Sequence, residues 1–176
     1  MVRIFCAAVG LQLLLIGSAS AQQPTHLKIR GDTTGAPRGC SAASGVSAIN
    51  GWFAAFTDAD SAGLAKASST PNGRFVFSIG KFATSDTFFR ARTFEELLAY
   101  ARERARHRER MTVQEVRFNG WRGQVLQWDP IYFTRSGNDL GDKGLPGVGK
   151  GGYWCGQGVW YLHLAPRQDI DRGPRR

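Results

Sequence analysis

The first 21 residues constrain this chain most, because they set the environment in which the rest must fold. Arg3 supplies a basic start, Ile4 to Ile16 is an apolar run of 13, and Ala19-Ser20-Ala21 places small residues where a signal peptidase cuts. The run is too short to span a bilayer, and no later stretch is long and apolar enough, so no membrane span is expected. The pattern predicts cleavage between Ala21 and Gln22 and a periplasmic or secreted product. Cys6 leaves with the leader, and Cys40 and Cys155 remain. Two cysteines in an oxidising compartment usually pair. Closing a loop of this length stabilises by roughly 4–5 kcal/mol on the chain-entropy account. A free thiol and a metal site are the alternatives. No histidine ligand pattern accompanies the cysteines, so no metal is expected.

Removing the leader leaves 155 residues, enough for one domain with a real core. The net charge falls only from +9 to +8, because Arg3 is the one charged side chain lost. That balance suits either simple solubility or an anionic partner such as a headgroup or a polysaccharide. Residues 22–39 are polar, with Pro, Gly and Thr and no periodicity, and read as a flexible leader. Residues 40–166 read as the folded domain, and 167–176 as a disordered basic tail.

Within the domain, Ala42, Val46, Ile49, Trp52, Phe53 and Phe56 fall on one arc of about 120°, predicting a helix over 41–59. Asp60 or Ser61 caps a second helix, 61–67, stopped near Pro71-Asn72-Gly73. Residues 74–79 alternate as a strand, with a short one near Thr87 to Phe89. Thr93-Phe94-Glu95-Glu96 is a capping box opening a helix to about Arg108. The last third reads as strands: 111–118 and 123–128 joined by a hairpin at 119–122, then 131–134 and 158–164, with a glycine-rich loop over 137–152. Helices in the first half and strands in the second argue an α+β domain, with helices on one face of a largely antiparallel sheet.

This order resembles the NTF2-like (SnoaL-like) superfamily. The run AINGWFAAFTDADSAGLAKA (48–67) is similar to its first two helices joined at an acidic corner, and TFEELLAYARERA (93–105) to its third. The ending RSGNDLGDKGLPGVGKGGYWCGQGVWYLHL (135–164) is similar to the last two strands of some secreted or uncharacterised members. The resemblance implies a cone: a curved, mostly antiparallel sheet wrapped around about three helices from the N-terminal half. It implies no single activity, since the superfamily holds dehydratases, isomerases, ligand-binding modules, transport factors and immunity-type proteins.

Catalytic members place an Asp, a His or a Tyr inside the cone. Asp58 stands at the acidic corner, and Asp139 lies in the glycine-rich stretch over 137–152. Alternation along the last strand puts Trp160, Leu162 and Leu164 on one face and Val159, Tyr161 and His163 on the other. An enzyme of the dehydratase or isomerase type would use His163 with Asp58 or Asp139; the structural readings are a helix cap for Asp58 and an ordinary strand histidine for His163. No paired spacing carries a dyad over. Gly144 to Lys150 satisfies G-x-x-x-x-G-K, but Gly151 stands where a P-loop needs Ser or Thr, and no helix start follows. No nucleotide or other cofactor is expected. Arginines at 102, 104, 106, 108 and 110 spread around a helix as a solvated face, except that Arg108 extrapolates into the apolar stripe. Eleven Phe and five Trp exceed a minimal core, and in an open cone some would line the mouth. The leading expectation is therefore non-catalytic. A small apolar or anionic molecule would bind between Trp52, Phe56 and Phe77, with Arg108 or Arg135 as cation, or the protein would serve as an envelope accessory. A homodimerising interaction module is a further alternative and predicts a large exposed apolar patch on the outer sheet face. No nucleic-acid partner is expected, because no binding signature is present.

Overall fold

Local polar caps start the helices, and long-range strand pairing assembles the sheet around them. The computed structural model describes residues 27–68, 75–84 and 86–167, with only the backbone of Asp142. The expected signal peptide, the turn at 71–73 and the tail from 168 lie outside the described residues.

Helix α1 (Ala42–Thr57) starts at Ser41, whose side chain accepts from the Ser44 amide at 3.1 Å. Helix α2 (Ser61–Ala67) starts at Asp60, which accepts from the Ala62 amide at 3.0 Å. Helix α3 (Phe94–Arg106) carries the expected capping box: Glu96 N donates to Thr93 Oγ1 at 3.2 Å, and Thr93 N donates to the Glu96 carboxylate at 3.3 Å. Each cap satisfies helix-end amides that would otherwise have no acceptor.

The strands are β1 (Lys28–Asp32), β2 (Val76–Ile79), β3 (Phe89–Ala91), β4 (Arg110–Arg122), β5 (Val125–Gly137), β6 (Gly141–Trp154) and β7 (Gly158–Pro166). They form one sheet in the order β1-β4-β5-β6-β7-β2-β3. The β1–β4 and β7–β2 pairs are parallel and the others antiparallel. Helix α1 packs on the inner face against β4, β6 and β7, and against α3. Register shifts along β4–β5 and β5–β6 bend the sheet around it. One such shift, between Trp128 and Ile131, lets two residues three apart both face inward and be fully buried.

Four expectations are corrected. The flexible leader is partly a strand: Lys28 to Asp32 pair with Glu115 to Asn119. The hairpin turn is Gly123-Gln124, not residues 119–122, which stay in β4. The glycine-rich loop is mostly β6. Its glycines face large side chains across the ladder. Phe133 opposite Gly147 and Trp128 opposite Gly151 lie so close that an added Cβ would meet their rings at 2.3 Å and 2.5 Å. Glycine there makes room for a ring, and the ring covers the bare backbone. Last, Val159 joins Leu162 and Leu164 in the core while Trp160 sits outside, because the register shifts between Gly152 and Tyr153.

Cys40 and Cys155 form a disulfide across 115 residues. It ties the start of α1 to the β6–β7 turn, where the Cys155 amide also donates to the Gln124 carbonyl at 2.9 Å.

Candidate functional site

The inside of the cone holds rings at one level and charges at the next. Strand alternation carries Ile131, Phe133 and Arg135 of β5 to the same inner face, and all three are 0% exposed. Arg135 is held on every side. Its Nε donates to Glu109 Oε1 at 2.5 Å and its Nη2 to Glu109 Oε2 at 3.0 Å, a bidentate fork. Its Nη1 donates to Asp86, and Nη2 also reaches Tyr100 Oη at 3.2 Å. The Phe82 ring lies 4.9 Å from the guanidinium carbon. Asp86 is fixed in turn by the amides of Phe82 and Thr87, at 3.1 Å and 3.0 Å. Arg104 approaches Glu109 and Asp139, each at 3.6 Å.

Two arginines and the carboxylates of Glu109 and Asp86 thus balance inside the protein. Burial opposes the Asp86 charge, but the Phe82 amide and Arg135 outweigh it and lower its pKa. Burial likewise opposes the Arg135 cation, and Glu109 outweighs it and raises its pKa. Burial, with Glu109 and Asp86 and against Arg135, pushes the Tyr100 hydroxyl up to about 12. These shifts hold Asp86 as a carboxylate, Arg135 as a cation and Tyr100 as a neutral phenol at neutral pH, so none of the three is poised to exchange a proton.

The three expected apolar walls lie in the core. Trp52 stacks on Phe56 with centroids 5.2 Å apart and packs on Phe77 at 5.3 Å; all three are buried. Of the two expected cations, Arg135 is inside and fully partnered. Arg108 is exposed: the chain leaves the helix at His107, and Arg108 takes a left-handed φ of 52° that turns it out of the apolar stripe.

The three expected acid–base residues do not meet. Asp58 is the exposed C-cap residue of α1, 3.9 Å from Arg110. His163 is on the outer face of β7, where its Nδ1 and Ser78 Oγ share a hydrogen bond of 2.7 Å. Burial, then Lys150 and Arg90, lower its pKa. Asp139 does pair with an imidazole, but that of His107: Nδ1 lies 2.7 Å from Asp139 while Nε2 lies 3.1 Å from Glu103. Both ring nitrogens are taken, leaving none for a substrate. Sequence reasoning missed Glu109, Asp86, Tyr100 and His107; only long-range strand and loop placement brings them together. Among the described residues no group of three or more His, Cys, Asp or Glu could hold a metal ion, and no helix is long and apolar enough to cross a membrane.

Open hollows lie outside the cone. One of about 900 Å³ runs between α1 and α2, past Gly51, Ala54, Asp58, Asp60 and Lys66. Another, of about 460 Å³, lies on the outer face over β1, β4 and β5.

No protein-family model matches the sequence. No curated protein matches it either. Solved structures do match. A candidate dehydratase of the NTF2-like family from Streptomyces avermitilis is 13% identical with a TM-score of 0.53, over 71% of this chain and 95% of that one. The hexachlorocyclohexane dehydrochlorinase LinA-type3 from Novosphingobium barchaimii is 8% identical with a TM-score of 0.54, over 72% and 87%. The Orange Carotenoid Protein from Anabaena, binding canthaxanthin, is 9% identical with a TM-score of 0.54; the match covers 90% of this chain but 43% of that one. At these identities the matches speak to architecture, and with helices cradled by a curved seven-stranded sheet they establish that this chain has the NTF2-like fold.

Proposed function

We propose that this chain is an exported, non-catalytic NTF2-like accessory protein that binds its partner on its surface rather than inside its cone. One observation carries the reading. The space that would admit a substrate is occupied by the protein's own rings and by the partnered Arg135, while Asp58, Asp139 and His163 stand apart. An enzyme of this kind needs an acid and a base converging on one cavity. The disulfide suits the oxidising destination that the leader implies.

A second reading keeps a small molecule in the cone. The indole N–H groups of Trp52 and Trp128 are buried without an acceptor, and an acceptor-bearing ligand would satisfy them. Native mass spectrometry of protein from an exporting host separates the two. The proposed function expects residues 22–176, two hydrogens light, with no extra mass. A small molecule that leaves on denaturation overturns surface binding in favour of the second reading, and a retained leader overturns export.

A further inference from the structure

The parallel pairing of β1 with β4 has a consequence for charge. It sets Lys28 beside Glu115 and Arg30 beside Arg117 on the outer face, with Ile29 turned to the opposite face. The next strand adds Tyr132, which pairs with Glu115. Arg167, just past β7, reaches back so that its guanidinium carbon lies 5.0 Å from the Tyr132 ring centre. These residues and Gln114 line the hollow of about 460 Å³, within the range of ligand sites. Among the described residues Glu115 is the one carboxylate in the lining. It is shared by Lys28, Arg30 and Arg117 at 3.5, 3.2 and 3.9 Å. With Arg167, the described lining holds four cations against one carboxylate, an excess of three positive charges. The three cations around Glu115 keep half or more of their side-chain surface in solvent.

We infer that this hollow binds an acidic polysaccharide, one uronate-type sugar at a time. The excess cations match a sugar carboxylate. Glu115 and Gln114 offer acceptors to ring hydroxyls. The Tyr132 ring and the arginine planes give flat surfaces for the apolar faces of sugars. Other polyanions fit less well. Among the described residues lining the hollow none is an aliphatic side chain that could enter a bilayer, and the exposed Ile29 of β1 lines a different hollow on the opposite face. Among the described residues the charged hollow holds a single aromatic ring, whereas single-stranded nucleic acid is held by several rings stacking successive bases.

The site rests on the proposed surface-binding reading and is tested separately from it. Binding of the mature protein to polygalacturonate is measured against neutral dextran in dilute buffer, then with added salt. A variant with Arg30→Gln, Arg117→Gln and Arg167→Gln is compared with an equal-charge control carrying Arg92→Gln, Arg102→Gln and Arg108→Gln, after matching melting curves. The expected result is binding to polygalacturonate only, weakened by salt, tenfold or more weaker in the hollow variant and within twofold of wild type in the control. Equal loss in both variants would reduce the effect to net charge and overturn the site. No loss in the hollow variant would overturn it too, and tighter binding to phosphatidylglycerol vesicles or to DNA would overturn the ligand class. A small molecule retained in native mass spectra defeats the proposed function without touching this result, and the reverse holds as well.

Discussion

Arg135 and Glu115 are inverse arrangements of the same chemistry. Inside, one cation is gripped by Glu109 and Asp86 and is 0% exposed. Outside, one carboxylate is shared by Lys28, Arg30 and Arg117, and the partners are half open to water. The inner cluster is charge-balanced, and its central Arg135 bonds to Glu109, Asp86 and Tyr100. The outer one is left with surplus positive charge. A buried ion that is fully paired has nothing to offer a ligand, and disturbing it costs several kcal/mol. An exposed, under-compensated cluster contributes little to stability and keeps its field free for a partner. The inner face of the sheet thus holds the fold, and the outer face is the one proposed to bind.

The largest test of this contrast is Arg135→Met. It leaves Glu109 and Asp86 buried without their cation and should destabilise by about 3–5 kcal/mol, read from urea unfolding. Replacing the three together, as Arg135→Met with Glu109→Leu and Asp86→Asn, should recover much of that loss. A loss below about 1 kcal/mol, the level of a surface pair, would erase the distinction between the clusters.

The next effect sharpens the claim that the cone is full. Gly147→Ala places a methyl where the Phe133 ring already lies and should destabilise by about 1–3 kcal/mol through overpacking. Adding Phe133→Leu should make the two changes non-additive, since the residues touch. Simple additivity in a double-mutant cycle would mean the ring has room to move and the cone has space to give.

What the sequence made legible follows from how local each signal is. Ser41, Asp60 and the Thr93/Glu96 box announce helix starts within four residues, and all three helices appear where the caps place them. Arg135 stands in the sequence as a candidate cation for a ligand, but its partners Glu109 and Asp86 lie 26 and 49 residues away and leave no local mark. The strand β6 was hidden because glycine is a poor strand former; the reason for glycine is the ring opposite, on another strand. Likewise β1 has all five residues exposed and no apolar alternation. Backbone pairing to β4 makes it a strand, so the hollow it helps to build was illegible too.

On the outer face the stability effects shrink. Glu115→Gln should change stability by less than about 1 kcal/mol, yet it removes the sole carboxylate among the described residues of the hollow and should tighten binding to polygalacturonate. A large drop in melting temperature would place Glu115 with the structural ions instead.

The smallest effect concerns His163, on the same face. Its pKa is lowered by burial, with Lys150 and Arg90 adding, while Ser78 bonds to its Nδ1 and Tyr161 packs beside it. The folded protein therefore binds fewer protons than the unfolded chain near the ordinary histidine value of about 6.5. Stability is whole above that pH and is lost as pH falls through the lowered folded value. His163→Gln should flatten the slope of urea midpoint against pH there, relative to wild type. Added salt should flatten the wild-type slope in part, because it screens Lys150 and Arg90 but leaves the burial contribution in place. An unchanged slope in His163→Gln would show that the outer face tolerates one more positive charge at no cost, and that its surplus is less strongly felt than the pairing around Glu115 implies.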